Sequence, residues 1–206
     1  MRGKVLGLVV AGMLLAATPV NAMVLSVTGG QNDTIPATFN PVGFPGGVSV
    51  GDPIKVFDST SPGGGLTLSD NGLLKFEYYG KEALFVNFFV NGSSLFSTAT
   101  SVVGDSFLAP TAAGTVPFSF LTSGGGGLSA TNGGPIDSGL SIAFADLGNN
   151  SFLIMFNDIG NDRDFDDLVV KVSAVPLPAA VWLLLSAFLG LWGMSRGVRH
   201  GARSNA

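Results

Sequence analysis

The sequence predicts an all-β body, an antiparallel β-sandwich with a jelly-roll-like arrangement. Three observations predict it. Short apolar runs rich in Val, Phe and Thr alternate with Gly, Asn and Pro at short spacing. No long stretch has the 3.6-residue period of an amphipathic helix. The chain has 16 phenylalanines, most of them inside the apolar runs, where they can fill the space between two sheets.

The body is predicted to contain about nine short strands, separated by turns. Residues 73–79 alternate apolar and polar side chains, which is typical of a half-buried strand. Asn91-Gly92 predicts a tight hairpin, and Asn149-Asn150 predicts another turn. The predicted strands cover residues 25–28, 54–58, 73–79, 83–90, 94–98, 116–121, 140–146, 152–157 and 168–174.

Two glycine runs, 63–65 and 124–127, have no side chains to pack and are predicted to be exposed loops. A phosphate-binding loop needs a strand before the glycines, a Lys among them and a helix after them. Neither run has a Lys or a following helical pattern, so this interpretation is rejected. Residues 79–82 are predicted to form a turn between two strands.

The N-terminus has the three parts of a cleaved secretory signal peptide, predicted to cover residues 1–22. Arg2 and Lys4 form its basic start, and residues 5–17 are apolar. Ala22 ends a cleavage site of small residues. The predicted body therefore begins at residue 23 and extends to residue 174.

The C-terminus, residues 175–206, combines a short motif, an apolar segment and a basic tail. The motif consists of Val175, Pro176, Leu177, Pro178 and Ala179. Residues 179–194 carry no charge, and 16 helical residues extend roughly 24 Å, close to the ~30 Å thickness of a bilayer core. We expect a transmembrane helix here. A buried core helix is the alternative, and it leaves the basic tail unexplained.

The distribution of basic residues orients the chain in the membrane. Basic residues beside membrane segments stay on the cytoplasmic side. Such residues precede the first apolar segment, and Arg196, Arg199 and Arg203 follow the second. The body between the two segments is therefore predicted to be exported.

The motif, the apolar segment and the arginines together resemble the VPLPA variant of the PEP-CTERM sorting signals of Gram-negative bacteria. The resemblance covers about 30 of the 206 residues. It implies cleavage near the motif by an exosortase, a membrane transpeptidase-like protease. It also implies a precursor in the inner membrane, a product at the cell surface or in the extracellular matrix, and an association with exopolysaccharide and biofilm.

Charge and composition exclude several classes of function. All 14 acidic residues but only five of the basic ones lie in the body, so its net charge is 5 − 14 = −9. This charge argues against nucleic acid as a partner. The chain has no Cys, which excludes thiolate metal sites, and its one histidine, His200, lies in the basic tail. A Ser–His or Cys–His nucleophile is therefore excluded from the mature body.

Five aspartates within residues 158–167 form the most distinctive motif of the body. Crowded carboxylates repel one another unless a cation lies among them, and Ca²⁺ prefers six to eight oxygen ligands. A Ca²⁺ site is one hypothesis for this motif, although the spacing differs from that of an EF-hand loop. The alternative is a solvated turn shaped by Asp and Asn side chains. The predicted ligands are Asp158, Asp162, Asp164 and Asp166.

Three functions follow from these features. The first is a non-catalytic protein of the cell surface or matrix, sorted by an exosortase-type system. The second is a carbohydrate-binding module, with Tyr78, Tyr79 and Asn87 as candidate contacts. The third is a glycosidase with two catalytic carboxylates, for which Glu77 and Glu82 are the only glutamates. Because no catalytic motif is present, we predict that the protein is not an enzyme.

Overall fold

The computed structural model describes residues 23–159 and 163–175. The predicted signal peptide, the segment 179–194 and the basic tail lie outside the described residues. Within residues 23–159 and 163–175, no helix has the length and apolar character needed to cross a membrane. The described residues form antiparallel sheets stacked like a sandwich, which confirms the all-β class. The jelly-roll arrangement stays a prediction.

Fourteen strands make up the described part of the chain, together with one 3₁₀ turn at Gly124–Gly126. In chain order the strands are β1 Leu25–Gly29, β2 Gln31–Thr34, β3 Pro53–Asp58, β4 Gly64–Leu68, β5 Gly72–Gly80, β6 Asn87–Asn91, β7 Ser94–Ser97, β8 Ser106–Thr111, β9 Gly114–Thr115, β10 Ser119–Thr122, β11 Ser129–Thr131, β12 Ser141–Gly148, β13 Ser151–Asn157 and β14 Leu168–Val175.

The strands form three antiparallel sheets. The largest has seven strands in the order β2-β3-β12-β13-β14-β5-β8, and its centre is a meander of β12, β13 and β14. A four-stranded sheet, β11-β10-β6-β7, and a three-stranded sheet, β1-β4-β9, complete the fold. One phenylalanine-rich core joins residues of all three sheets; within it, the rings of Phe120 and Phe156 stack with centroids 4.7 Å apart.

The seven-stranded sheet is covered on both faces, which explains why β13 is buried along its whole length. Alternate residues of a strand point to opposite faces. Ile154 therefore belongs to the main core, while its neighbours Leu153 and Met155 belong to a second apolar layer. Residues 35–52, between β2 and β3, contribute Ile35 to this layer and cover the outer face.

Two predicted turns are confirmed. Gly92, with φ of +60°, closes the hairpin between β6 and β7. Asn149 and Asn150, with φ of +49° and +59°, join β12 to β13. Two successive residues with positive φ match the right-handed twist of the flanking strands, and Asn tolerates that conformation better than most residues.

Four local predictions are wrong. Residues 83–86 are not strand, and β6 begins at Asn87. Residues 116–118 are not strand either, and β10 begins at Ser119. Residues 79–82 do not join paired strands, because β5 and β6 lie in different sheets and the chain crosses between them. The first glycine run is not simply a loop, because Gly64 and Gly65 begin β4. A Cβ at Gly64 would collide with the backbone of Thr28, so this close pairing requires glycine.

Candidate metal centre

Three segments that are distant in sequence meet at the acidic motif. The motif connects β13 to β14, the crossover from β5 to β6 passes beside it, and the β2–β3 segment approaches from the outer face. The backbone N–H of Glu82 donates to the carbonyl oxygen of Asp166 at 2.6 Å. The N–H of Asn40 donates to Oδ2 of Asp166, also at 2.6 Å. Asp166 is therefore bonded to both neighbouring segments.

Phe165 anchors this loop in the second apolar layer. It is 2 % exposed, and its φ of +63° is unusual for an aromatic residue. Burial of the ring stabilises the loop in a conformation that the backbone alone disfavours. Asp164 and Asp166, on either side of this anchor, are both buried.

Asp164, Asp166 and Glu82 form an acidic cluster that could hold a metal ion. Each offers a carboxylate oxygen, and the three oxygens lie within 4.8 Å of one another. Two oxygens on one Ca²⁺ lie at most about 5 Å apart, because each Ca–O distance is about 2.3–2.6 Å. The two aspartates are buried, whereas Glu82 is exposed and opens the cluster to solvent.

The Oδ1 atom of Asp166 provides a second observation that fits a bound cation. Asp166 is 0 % exposed, and among the described residues no hydrogen-bond donor reaches Oδ1. A buried carboxylate oxygen without a partner costs free energy, and a bound cation would remove that cost.

Asp158 and Asp167 form a second acidic pair beside the cluster. The N–H of Asp158 donates to Oδ2 of Asp167 at 2.7 Å. Nδ2 of Asn87 donates to Oδ2 of Asp158 at 2.9 Å. This pair connects the motif to β6 of the four-stranded sheet.

The structure thus brings together two of the four predicted calcium ligands, Asp164 and Asp166. It places Asp158 against Asn87 instead, and Asp162 lies outside the described residues. Glu82 joins the cluster without having been predicted as a ligand. Its proximity follows from the pairing of β5 with β14, in which Gly80 lies opposite Val169.

Burial raises the pKa of both Asp166 and Asp167. Desolvation is the main cause for Asp166, whose pKa rises to about 7. The hydrogen bond from Asn40 opposes the rise, whereas the side-chain hydrogen bond with Asp164 and the charge of Asp164 add to it. The pKa of Asp167 rises to about 8, again mainly by desolvation, with the charges of Asp158 and Asp164 adding to it. Both groups are easier to protonate in the folded chain than in the unfolded one.

The higher pKa values of Asp166 and Asp167 in the folded state predict how the stability of the metal-free protein depends on pH. Between the ordinary Asp pKa of 3.8 and about 8, the folded state binds more protons at Asp166 and Asp167 than the unfolded state does. Stability must therefore fall as pH rises through this window and become level above it. Thermal melts in a metal chelator should show a midpoint that decreases from pH 5 to pH 8. A midpoint that rises over this range would contradict the assignment.

Two of the three residues predicted to contact a sugar are buried, so that prediction is wrong for them. Tyr78 is 2 % exposed and belongs to the main core, where burial raises the pKa of its hydroxyl to about 12. Asn87 is fully buried and bonded to Asp158. Tyr79 is half-buried on the outer face of the seven-stranded sheet and remains accessible.

The described residues therefore define an all-β sandwich with an acidic cluster where three segments meet. Comparison of the chain with protein-family models, with curated proteins and with solved structures finds no match.

Proposed function

We propose that this chain is an exported, non-catalytic protein of the cell surface or extracellular matrix. It is sorted by an exosortase-type membrane protease and associates with exopolysaccharide. The observation that carries the proposal is the order of features at the C-terminus: the motif from Val175 to Ala179, an uncharged segment of membrane length, and three arginines.

The position of the last strand supports this proposal. β14 ends at Val175, which pairs with Leu73 and is also the first residue of the motif. Pro176 and Pro178 lack backbone donors and are unsuited to a paired strand. The proposed cleavage motif therefore begins at the last residue of β14, so cleavage after it would leave every described strand in the product.

A Ca²⁺ ion held by Glu82, Asp164 and Asp166 is part of the same proposal. Carboxylate oxygens suit Ca²⁺, and this site contains neither Cys nor His, the ligands that softer metals prefer. The cluster joins the β5–β6 crossover to the loop before β14, so a bound ion would stabilise the start of β14, the strand that leads to the sorting motif.

Mass spectrometry of the protein isolated from its natural host tests the sorting proposal. The expected mass lacks residues 1–22 and the basic tail, and the product is found in the surface or matrix fraction. A product that retains Arg203 and is found in the cytosol would overturn the proposal. The same spectra reveal any group attached at the new C-terminus.

A further inference from the structure

A second site lies on the outer face of the seven-stranded sheet, separate from the acidic cluster. It is a cleft of about 430 Å³ beside the β2–β3 segment. Its lining includes Tyr79, Leu147, Asn149, Ser151, Lys171 and Ser173. Gly46 and Gly47 also line it and leave the cleft wide, because they have no side chains. One aromatic ring, one cation and several small polar groups therefore face the same space.

Lys171 is the distinctive group of this cleft. Its Nζ donates to the hydroxyl of Tyr79 at 3.2 Å and lies 5.3 Å from the centre of that ring. Glu77 is opposite Lys171 in the neighbouring strand, but it pairs with Lys75 at 2.8 Å instead. Among the described residues, Lys171 forms no ion pair. Two other lysines of the described residues also lack an ion pair, but Lys171 is the one that lines this cleft, where its charge suits an anionic ligand.

The other groups of the cleft suit a sugar. The ring of Phe44 packs against Tyr79 edge-on, at 6.0 Å between centroids, and holds it in place. Ser151 and Ser173 lie opposite each other on β13 and β14. The hydroxyl of Ser151 donates to the carbonyl of Gly148, so its lone pairs remain available to accept. Hydroxyl and amide groups beside a fixed aromatic residue match the many hydroxyls of a sugar.

We propose that this cleft binds a carboxylate-bearing sugar of an acidic polysaccharide. The carboxylate pairs with Lys171, and the sugar hydroxyls bond to Ser173 and Asn149. The choice of a polysaccharide rests on the proposed association with exopolysaccharide. The negative body repels a polyanion at long range, but at physiological ionic strength this repulsion is screened beyond about 8 Å. A single ion pair inside a shallow cleft then gives weak binding to each sugar, and the polysaccharide offers the same carboxylate many times along its length.

Titration of the full chain, in mild detergent, with a short oligogalacturonate tests the inference by calorimetry or NMR. The expected result is saturable binding that Lys171→Gln weakens by roughly tenfold or more, because a charge-assisted hydrogen bond is lost. Lys55→Gln is the matched control, since Lys55 bonds to Asn32 on the far edge of the sheet, and it should leave binding unchanged. Both variants should remain folded in thermal melts, which separates a loss of binding from a loss of the fold.

Four outcomes would overturn the inference. The first is absence of oligogalacturonate binding at about 10 mM, a range in which weak affinities are still measurable. The second and third are binding of neutral maltotriose, or of acetate, with the same affinity as oligogalacturonate. The fourth is oligogalacturonate binding that Lys171→Gln leaves intact. Acetate binding alone would identify a simple anion site, and equal maltotriose binding a neutral-sugar site. None of these results depends on cleavage at the sorting motif, so failure here leaves the sorting proposal intact.

Discussion

Ca²⁺ should raise the thermal midpoint of the metal-free protein by several degrees. An ion that binds only the folded state at 100 times its dissociation constant adds about 2.7 kcal/mol of stability. For a domain of this size that is roughly 5–10 °C. The physical source is the cluster of Glu82, Asp164 and Asp166, whose oxygens lie within 4.8 Å of one another. Thermal melts of the full chain in chelator and in millimolar Ca²⁺ measure the shift.

Asp166→Asn should remove this response without lowering the stability of the metal-free protein. The substitution removes a buried carboxyl group whose ionised form is disfavoured by burial and by neighbouring carboxylates, yet the amide oxygen can still accept from the N–H of Asn40. An aspartate with a purely structural role would give a less stable protein with the Ca²⁺ response intact. Asp70→Asn is the matched control, because Asp70 lies on an exposed turn between β4 and β5.

Two results would contradict the calcium assignment. One is an unchanged midpoint in millimolar Ca²⁺, and the other is a shift of equal size in the Asp166→Asn protein. Mg²⁺ provides a further comparison, because it demands octahedral geometry at about 2.0–2.1 Å and gives up its water reluctantly. A larger shift with Mg²⁺ than with Ca²⁺ would also contradict the assignment of Ca²⁺.

The central strands could be predicted from the sequence because their apolar runs are long and end at clear turns. β13 and β14 are the best examples. The strands that could not be predicted from the sequence lie mainly at the edges of sheets or start with glycine. β2 is entirely polar and exposed, so it has no hydrophobic signal. β8 contains Pro110, which usually argues against a strand but is tolerated at the edge of a sheet.

The candidate site was partly predictable for a similar reason. Asp164 and Asp166 are close in sequence, so a local pattern was enough to group them. Glu82 is far from them in sequence, and only the pairing of β5 with β14 brings it near. A single sequence contains no local signal for such a contact. The cleft around Lys171 depends on the same pairing, since Tyr79 and Lys171 lie on those two strands.

Replacing residues 176–179 by Gly-Ser-Gly-Ser should abolish processing in the natural host. Val175 is left unchanged, so that β14 keeps its pairing with Leu73 and the body can fold as before. We expect the unprocessed precursor, still carrying Arg196, Arg199 and Arg203, to accumulate in the membrane fraction. The mature product should disappear from the surface fraction. Intact-mass spectrometry of both fractions measures the effect.

Pro62→Ala serves as the control for this replacement, since Pro62 lies in an exposed turn before β4. It should give the parental mature mass in the parental fraction. A motif-replaced chain that is still trimmed at the same position would show that a protease reads the apolar segment or the arginines rather than the motif. Because the replacement leaves every described strand and the acidic cluster unchanged, its Ca²⁺ response should match that of the parent. Loss of sorting could then be assigned to the motif and not to misfolding of the body.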